Sequence, residues 1–133
     1  VTVTYTTNTV QAINTTWKSD PTTIGLAPTL SNACHTGASV GDSFPNTGHE
    51  FIYITNGVSS GALIVTINDQ SACDHGFDHD VVANIGPSLG RMLGPFPVEW
   101  FTGTALITYS GDVTGSPKIS VFQLPYPFSP MPE

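Results

Sequence analysis

The stretch from Gly41 to Gly57, GDSFPNTGHEFIYITNG, limits what this chain can fold into more than any other. Turn residues open it (Gly41-Asp42-Ser43, Pro45, Asn46-Thr47-Gly48), strand formers fill it from His49 to Asn56, and Asn56-Gly57 closes it. Asn-Gly tolerates the positive φ of a tight hairpin turn. The next apolar run, Ala62 to Asn68, begins only after Val58-Ser59-Ser60-Gly61. The spacing therefore predicts two antiparallel strands joined by a loop longer than two residues.

The rest of the chain repeats this grammar. Val1 to Thr7 alternates, with Val1, Val3 and Tyr5 on one face and Thr2, Thr4 and Thr6 on the other, which is the period of a half-buried strand. Val10 to Asn14 reads as a short strand, and Lys18 to Asn32 as a long loop whose Ile24, Leu26 and Leu30 need a surface to pack on. Phe51, Tyr53 and Thr55 oppose Ile52 and Ile54 in one strand, and Leu63, Val65 and Ile67 oppose Ile64 and Thr66 in the next. Large residues on both faces place these strands in the middle of a sandwich or under a partner. Val81 to Ile85, Thr104 to Ser110 and Lys118 to Leu124 follow, the last two read as a hairpin across Gly111 to Pro117.

No stretch carries a 3.6-residue apolar repeat over ten positions. Only 10% of residues are charged, against about 25% in ordinary domains; Thr, Ser, Gly, Pro and Asn take the polar share, and these suit strands and turns. The expected fold is all-β: an antiparallel β-sandwich, jelly-roll-like or barrel-like, of about seven to eight strands. One domain spans residues 1–124, of which 1–40 hold the N-terminal strand and long loop. The segment 125–133, PYPFSPMPE, has too many prolines to pair centrally and is expected to run extended. Its Tyr126, Phe128 and Met131 have no local core to enter.

Three basic residues, Lys18, Arg91 and Lys118, stand against ten acidic ones, for a net charge of -7. Neutralising phosphates takes Lys and Arg at the contact, so nucleic acid and anionic membranes are not expected partners. No run of about 18 apolar residues offers a membrane span, and VTVTYTT lacks the basic and apolar regions of a signal peptide. At 133 residues the chain is long enough to bury roughly two-thirds of its extended surface without covalent staples.

Reactive-site readings concentrate near Cys73. Cys34 with Cys73, His75 and His79 offers thiolates and imidazoles of a kind that zinc takes, but no CxxC pair gives the spacing of a closed site. The two cysteines are equally readable as a disulfide or as two buried thiols, according to compartment. His49, Cys73, His75 and Met92 resemble a blue-copper set in type, yet Met92 is far from Cys73 and two strong strands follow it. Asp69, Asp74, Asp78 and Asp80 lack the ligand order of a calcium loop and read as a solvated acidic segment. No Gly-x-Ser-x-Gly elbow is present, and Glu50 and Glu99 are single carboxylates read as strand-surface residues. Asn14-Thr15-Thr16 forms a glycosylation triplet to which no role is assigned. The expectation is no catalysis, no cofactor and no metal.

Asp42-Ser43-Phe44-Pro45-Asn46-Thr47-Gly48 and the following strand, with ALIVTIN, RMLGPFP, ALITYSG and KISVFQL, resemble small β-sandwich virion proteins of tailed bacteriophages, the head decoration (cement) proteins. The similarity covers roughly residues 41 to 124; the acidic Cys/His stretch and the proline tail lie outside it. The resemblance implies a structural role on the capsid exterior, the major capsid protein as partner, a homo-oligomer that is commonly a trimer, and no enzyme site. Under it, Val1, Val3, Tyr5, Tyr126, Phe128 and Met131 are the expected partner-binding residues, since an end strand can be lent to a neighbour. The competing reading is a secreted or tail-associated module that stacks sugars on Trp17, Trp100, Tyr53 and Tyr109.

Overall fold

A computed structural model describes residues 2–13, 30, 32–70 and 80–123. Val1, the body of the long loop, most of the acidic segment and the tail from 124 onward lie outside the described residues. Ten strands form among the described residues, and no helix. They are β1 (Thr4–Thr7), β2 (Val10–Ala12), β3 (Asn32–Ala33), β4 (Val40–Pro45), β5 (Glu50–Thr55), β6 (Leu63–Asn68), β7 (Val81–Ile85), β8 (Gly90–Leu93), β9 (Thr104–Gly111) and β10 (Lys118–Gln123). The count exceeds the expected seven to eight because β2 and β3 are only three and two residues long, too short to carry a periodic pattern.

The strands build two sheets. One has the order β1-β4-β9-β6-β7; the other has β2-β10-β5-β8, with β3 also on β10. β10 gives one side to β5 along its whole length, while β3 (at Lys118 and Ile119) and β2 (at Val121 to Gln123) share the other end to end. The sheets are mixed and not purely antiparallel: β1 runs parallel to β4, and β2 parallel to β10. A parallel pair needs a connection that crosses over, and the steps from β1 and β2 to their partners are long enough to make one.

One core lies between the sheets. Phe44, Leu63, Val65, Ile67, Ile85, Ala105 and Ile107 enter it from the first sheet, and Ile52, Ile54, Ile119 and Val121 from the second. Burial alternates strictly in β5 and β6, so Ile52 and Ile54 face inward, with Leu63, Val65 and Ile67 opposite them. Phe51, Tyr53 and Ile64 are half-buried on the outer faces, and Phe51 stacks on Phe122 with ring centroids 5.4 Å apart. Phe96, from the turn segment after β8, is wedged between Phe44 at 5.8 Å and Phe101 at 5.6 Å. Edge-to-face and tilted contacts at these distances add to area burial.

Two expected hairpins are corrected. β5 and β6 do not pair; they lie in different sheets, as do β9 and β10. Among the described strands, only β6 and β7 are both consecutive and paired. The Asn56-Gly57 corner shows why. Asn56 is buried, and its Nδ2 donates to the carbonyls of Gly61 at 3.1 Å and Ile85 at 3.0 Å, which pins the corner to the first sheet. Gly57 lies so close to the β9–β10 connection that a Cβ there would stand 2.0 Å from the Gly115 carbonyl oxygen. The glycine serves close backbone approach, not a positive φ.

Candidate functional site

β4 is the most polar of the buried strands. Asp42 shares the inward face with Phe44, yet its carboxylate is 0% exposed. Four donors meet it. Oδ1 accepts from Asn8 Nδ2 at 3.1 Å and pairs with His35 Nδ1 at 2.8 Å. Oδ2 accepts from the His35 backbone N–H at 3.0 Å and from the Tyr109 hydroxyl at 2.8 Å. A buried carboxylate costs several kcal/mol of lost hydration unless hydrogen bonds replace the water, which these do. The cluster joins the β1–β2 turn, the β3–β4 connection, β4 and β9.

Cys34 completes it. Burial pushes its thiol up to about 12, the Tyr109 hydroxyl pulls the other way as a hydrogen-bond partner, and the Asp42 charge pushes up again. Burial likewise raises the Tyr109 phenol above its ordinary 10.0, reinforced by Cys34 and Asp42. Nucleophilic and metal-binding cysteines act as thiolates; this thiol keeps its proton. Cys34 is unbridged, and Cys73, His75 and His79 lie outside the described residues. Among the described residues, no three His, Cys, Asp or Glu side chains group so as to hold a metal.

Glu50 corrects a second expectation. It is not a strand-surface residue: it points inward at the start of β5 and is 1% exposed. Burial pushes its pKa up, but the Thr47 N–H (2.6 Å), Thr47 Oγ1 (2.8 and 3.0 Å), Gln123 Nε2 (2.6 Å) and the His49 N–H (3.2 Å) outweigh that and hold it below 4.5. Glu99 is exposed, but in a turn and not a strand. Thus the SFPNTGHE phrase encodes a corner. Asn46 is 4% exposed and donates to the carbonyls of Phe96 (3.1 Å) and Phe101 (2.8 Å), while its Oδ1 accepts from Gly48 N–H. Gly48 has φ +93°, a conformation that a side chain would strain.

The remaining candidates fall as follows. Val3 and Tyr5 are half-buried, and β1 pairs with β4 of its own chain. The Tyr5 ring covers Gly41, where a Cβ would meet it at 3.0 Å. Val1, Tyr126, Phe128, Met131 and Trp17 lie outside the described residues. Tyr53 lies over Gly90, Trp100 packs on the core, and Tyr109 is committed to Asp42, so these three rings do not form one platform. His49 is half-buried at the β4–β5 corner.

Two surfaces remain open to a partner. The first is the side where β7 and β8 end their sheets. Arg91, in register with the inward-facing Ile54, reaches across to the Asn84 carbonyl at 3.3 Å, the kind of inward-pointing charge that blunts an edge. Val82 is exposed on the outer face of β7, Met92 opposite Tyr53 on the outer face of the other sheet, and Leu89 in the turn between β7 and β8, while Val58, at 90%, sits on the loop that hydrogen-bonds the Leu89 turn. The second is a groove of about 260 Å³ beside the Asp42 cluster, walled by Thr6, Thr7, Asn8, Thr9, Asn32 and His35. Sequence reading passed over Asn8 and Asp42; a lone Asn after Thr-Thr and an Asp in a turn phrase carry no signal beyond turn chemistry.

No protein-family model, curated protein or solved structure matches this chain.

Proposed function

We propose that this chain is a structural virion protein, a capsid decoration (cement) protein that binds the outer surface of a phage head between capsomers and stabilises the shell. The phrases from Gly41 to Leu124 suggest this reading. One structural observation favours a covering role: the β7–β8 side carries terminal strands and exposed Val82, Leu89 and Met92, and exposed apolar residues beside unpaired edges suit burial against other chains. The buried carboxylates of Asp42 and Glu50 are engaged by their own chain, so they serve the fold and not a substrate. A protein that binds only the assembled lattice stabilises it by mass action, without chemistry.

In this proposal the major capsid protein is the partner and the oligomer is a trimer. Val1 and Val3 at one end and Tyr126, Phe128 and Met131 at the other supply contacts, with Tyr5 divided between Gly41 and a neighbour. The test is co-sedimentation of purified protein with heads lacking it, alongside light scattering of the protein alone. Binding at saturable stoichiometry, with a raised temperature of head rupture, is the expected result. Protein that stays in the supernatant at every concentration refutes the reading.

A further inference from the structure

We infer that the groove beside the Asp42 cluster is a binding site for a neutral sugar ring, independently of the role on a capsid. The observation that carries it is Asn8. Its side chain is only 7% exposed. Its Nδ2 faces the Thr6 carbonyl at 3.4 Å, Asp42 Oδ1 at 3.1 Å and the Ser43 carbonyl at 3.3 Å, while its Oδ1 accepts from no described residue. A buried acceptor needs a partner, and this one, with none among the described residues, belongs to a residue lining an open groove.

His35 supplies a second fixed group. Its Nδ1 is held against Asp42 at 2.8 Å while 45% of the side chain stays exposed. With Nδ1 donating to the carboxylate, the neutral ring keeps Nε2 as an acceptor. The Thr6, Thr7 and Thr9 hydroxyls and the Asn32 amide add groups that both donate and accept.

Charge then selects the ligand class. Asp42, the one carboxylate nearby among the described residues, is 0% exposed and meets four donors, so it offers nothing to a cation. Among the described residues no lysine or arginine lines the groove, and a chain of net charge -7 repels anions. Two oriented acceptors amid hydroxyls call for a compact ligand with several O–H donors. The groove holds about 260 Å³, just under the ~300–1,000 Å³ of small-molecule pockets, which suits one ring. No aromatic side chain lines it among the described residues, so hydrogen bonds supply the affinity and Kd falls on the order of millimolar.

The test is a titration of the ¹⁵N-labelled full chain, followed by amide shifts, with glucose, galactose, mannose and N-acetylglucosamine in turn. At least one sugar gives saturable shifts confined to residues 6–9 and 32–35. Thr9→Val and His35→Gln each weaken that binding roughly fivefold, the worth of about one neutral hydrogen bond, while Thr2→Val, away from the groove, leaves it unchanged. The spectra of the variants report their folding directly. Absence of saturable shifts with all four sugars, or binding unaltered in both groove variants, overturns the inference.

Discussion

The Tyr109 hydroxyl donates to Asp42 Oδ2 at 2.8 Å, joining adjacent strands β9 and β4 within the layer between the sheets. Asp42 lies opposite Ile107, so the tyrosine reaches back along its own strand to meet it. Around this bond His35, Asn8 and Cys34 close one side of the core.

Asp42→Asn keeps the shape and replaces one acceptor oxygen with a donor that faces donors. The variant is expected to lose about 2–4 kcal/mol, in the range for breaking a buried charged network. Urea unfolding followed by tryptophan fluorescence checks this. A loss below ~1 kcal/mol would mean that the cluster is hydrated and not buried.

Glu50 sets an acid limb. Its folded pKa is depressed below 4.5, so its contribution is complete above that value and is lost as pH falls through the folded pKa. Glu50→Gln is expected to lower the urea midpoint at neutral pH, with the gap to the parent narrowing as pH drops below 4.5. Parallel curves at all pH values would remove Glu50 from the acid response.

Cys34 and Tyr109 set an alkaline limb of opposite sign. Both are raised in the fold, from 9.0 to about 12 for the thiol and above 10.0 for the phenol. Their contribution is present below the ordinary values and is lost as pH rises through the folded ones. Stability should fall from 9.0 upward, less steeply in Cys34→Ala and Tyr109→Phe. In a Cys73→Ser background the native thiol should resist alkylation at mildly alkaline pH and react on addition of urea; rapid labelling of native protein would contradict the buried thiol.

Gly57→Ala places a Cβ 2.0 Å from the Gly115 carbonyl oxygen, and both partners are backbone. Separating the two corners is expected to cost about 2–4 kcal/mol. Gly103→Ala is the matched control: its φ is +70° but nothing lies within 4 Å, so the loss there is expected to stay near ~1 kcal/mol. Equal losses in thermal unfolding would refute the close-approach argument.

Asn46→Ala leaves the Phe96 and Phe101 carbonyls without the amide that now reaches them at 3.1 and 2.8 Å. A loss of about 2–3 kcal/mol is expected from two buried acceptors left unmet. The aromatic wedge of Phe44, Phe96 and Phe101 should loosen with it, visible as reduced near-ultraviolet circular dichroism. An unchanged aromatic signal would show that the wedge holds the corner and not the reverse.

Residue order alone determined that this chain is all-β and which side chains share a face in its regular strands. Ile52, Ile54, Leu63, Val65 and Ile67 alternate with their neighbours, and a period of two is a local property written in consecutive residues. The acidic surplus also needs no fold to be read. Strand partners were decided only in three dimensions. Asn56-Gly57 looks identical in a hairpin and in a crossing between sheets; what selects the crossing is the carbonyl of Ile85, 29 residues away, and the backbone of Gly115. Glu50 and Asp42 were unreadable for the same reason. A carboxylate is stable inside a protein only if donors from distant segments converge on it, and Gln123 meets Glu50, and Tyr109 and Asn8 meet Asp42, only because β10 pairs with β5 while β9 and β1 pair with β4.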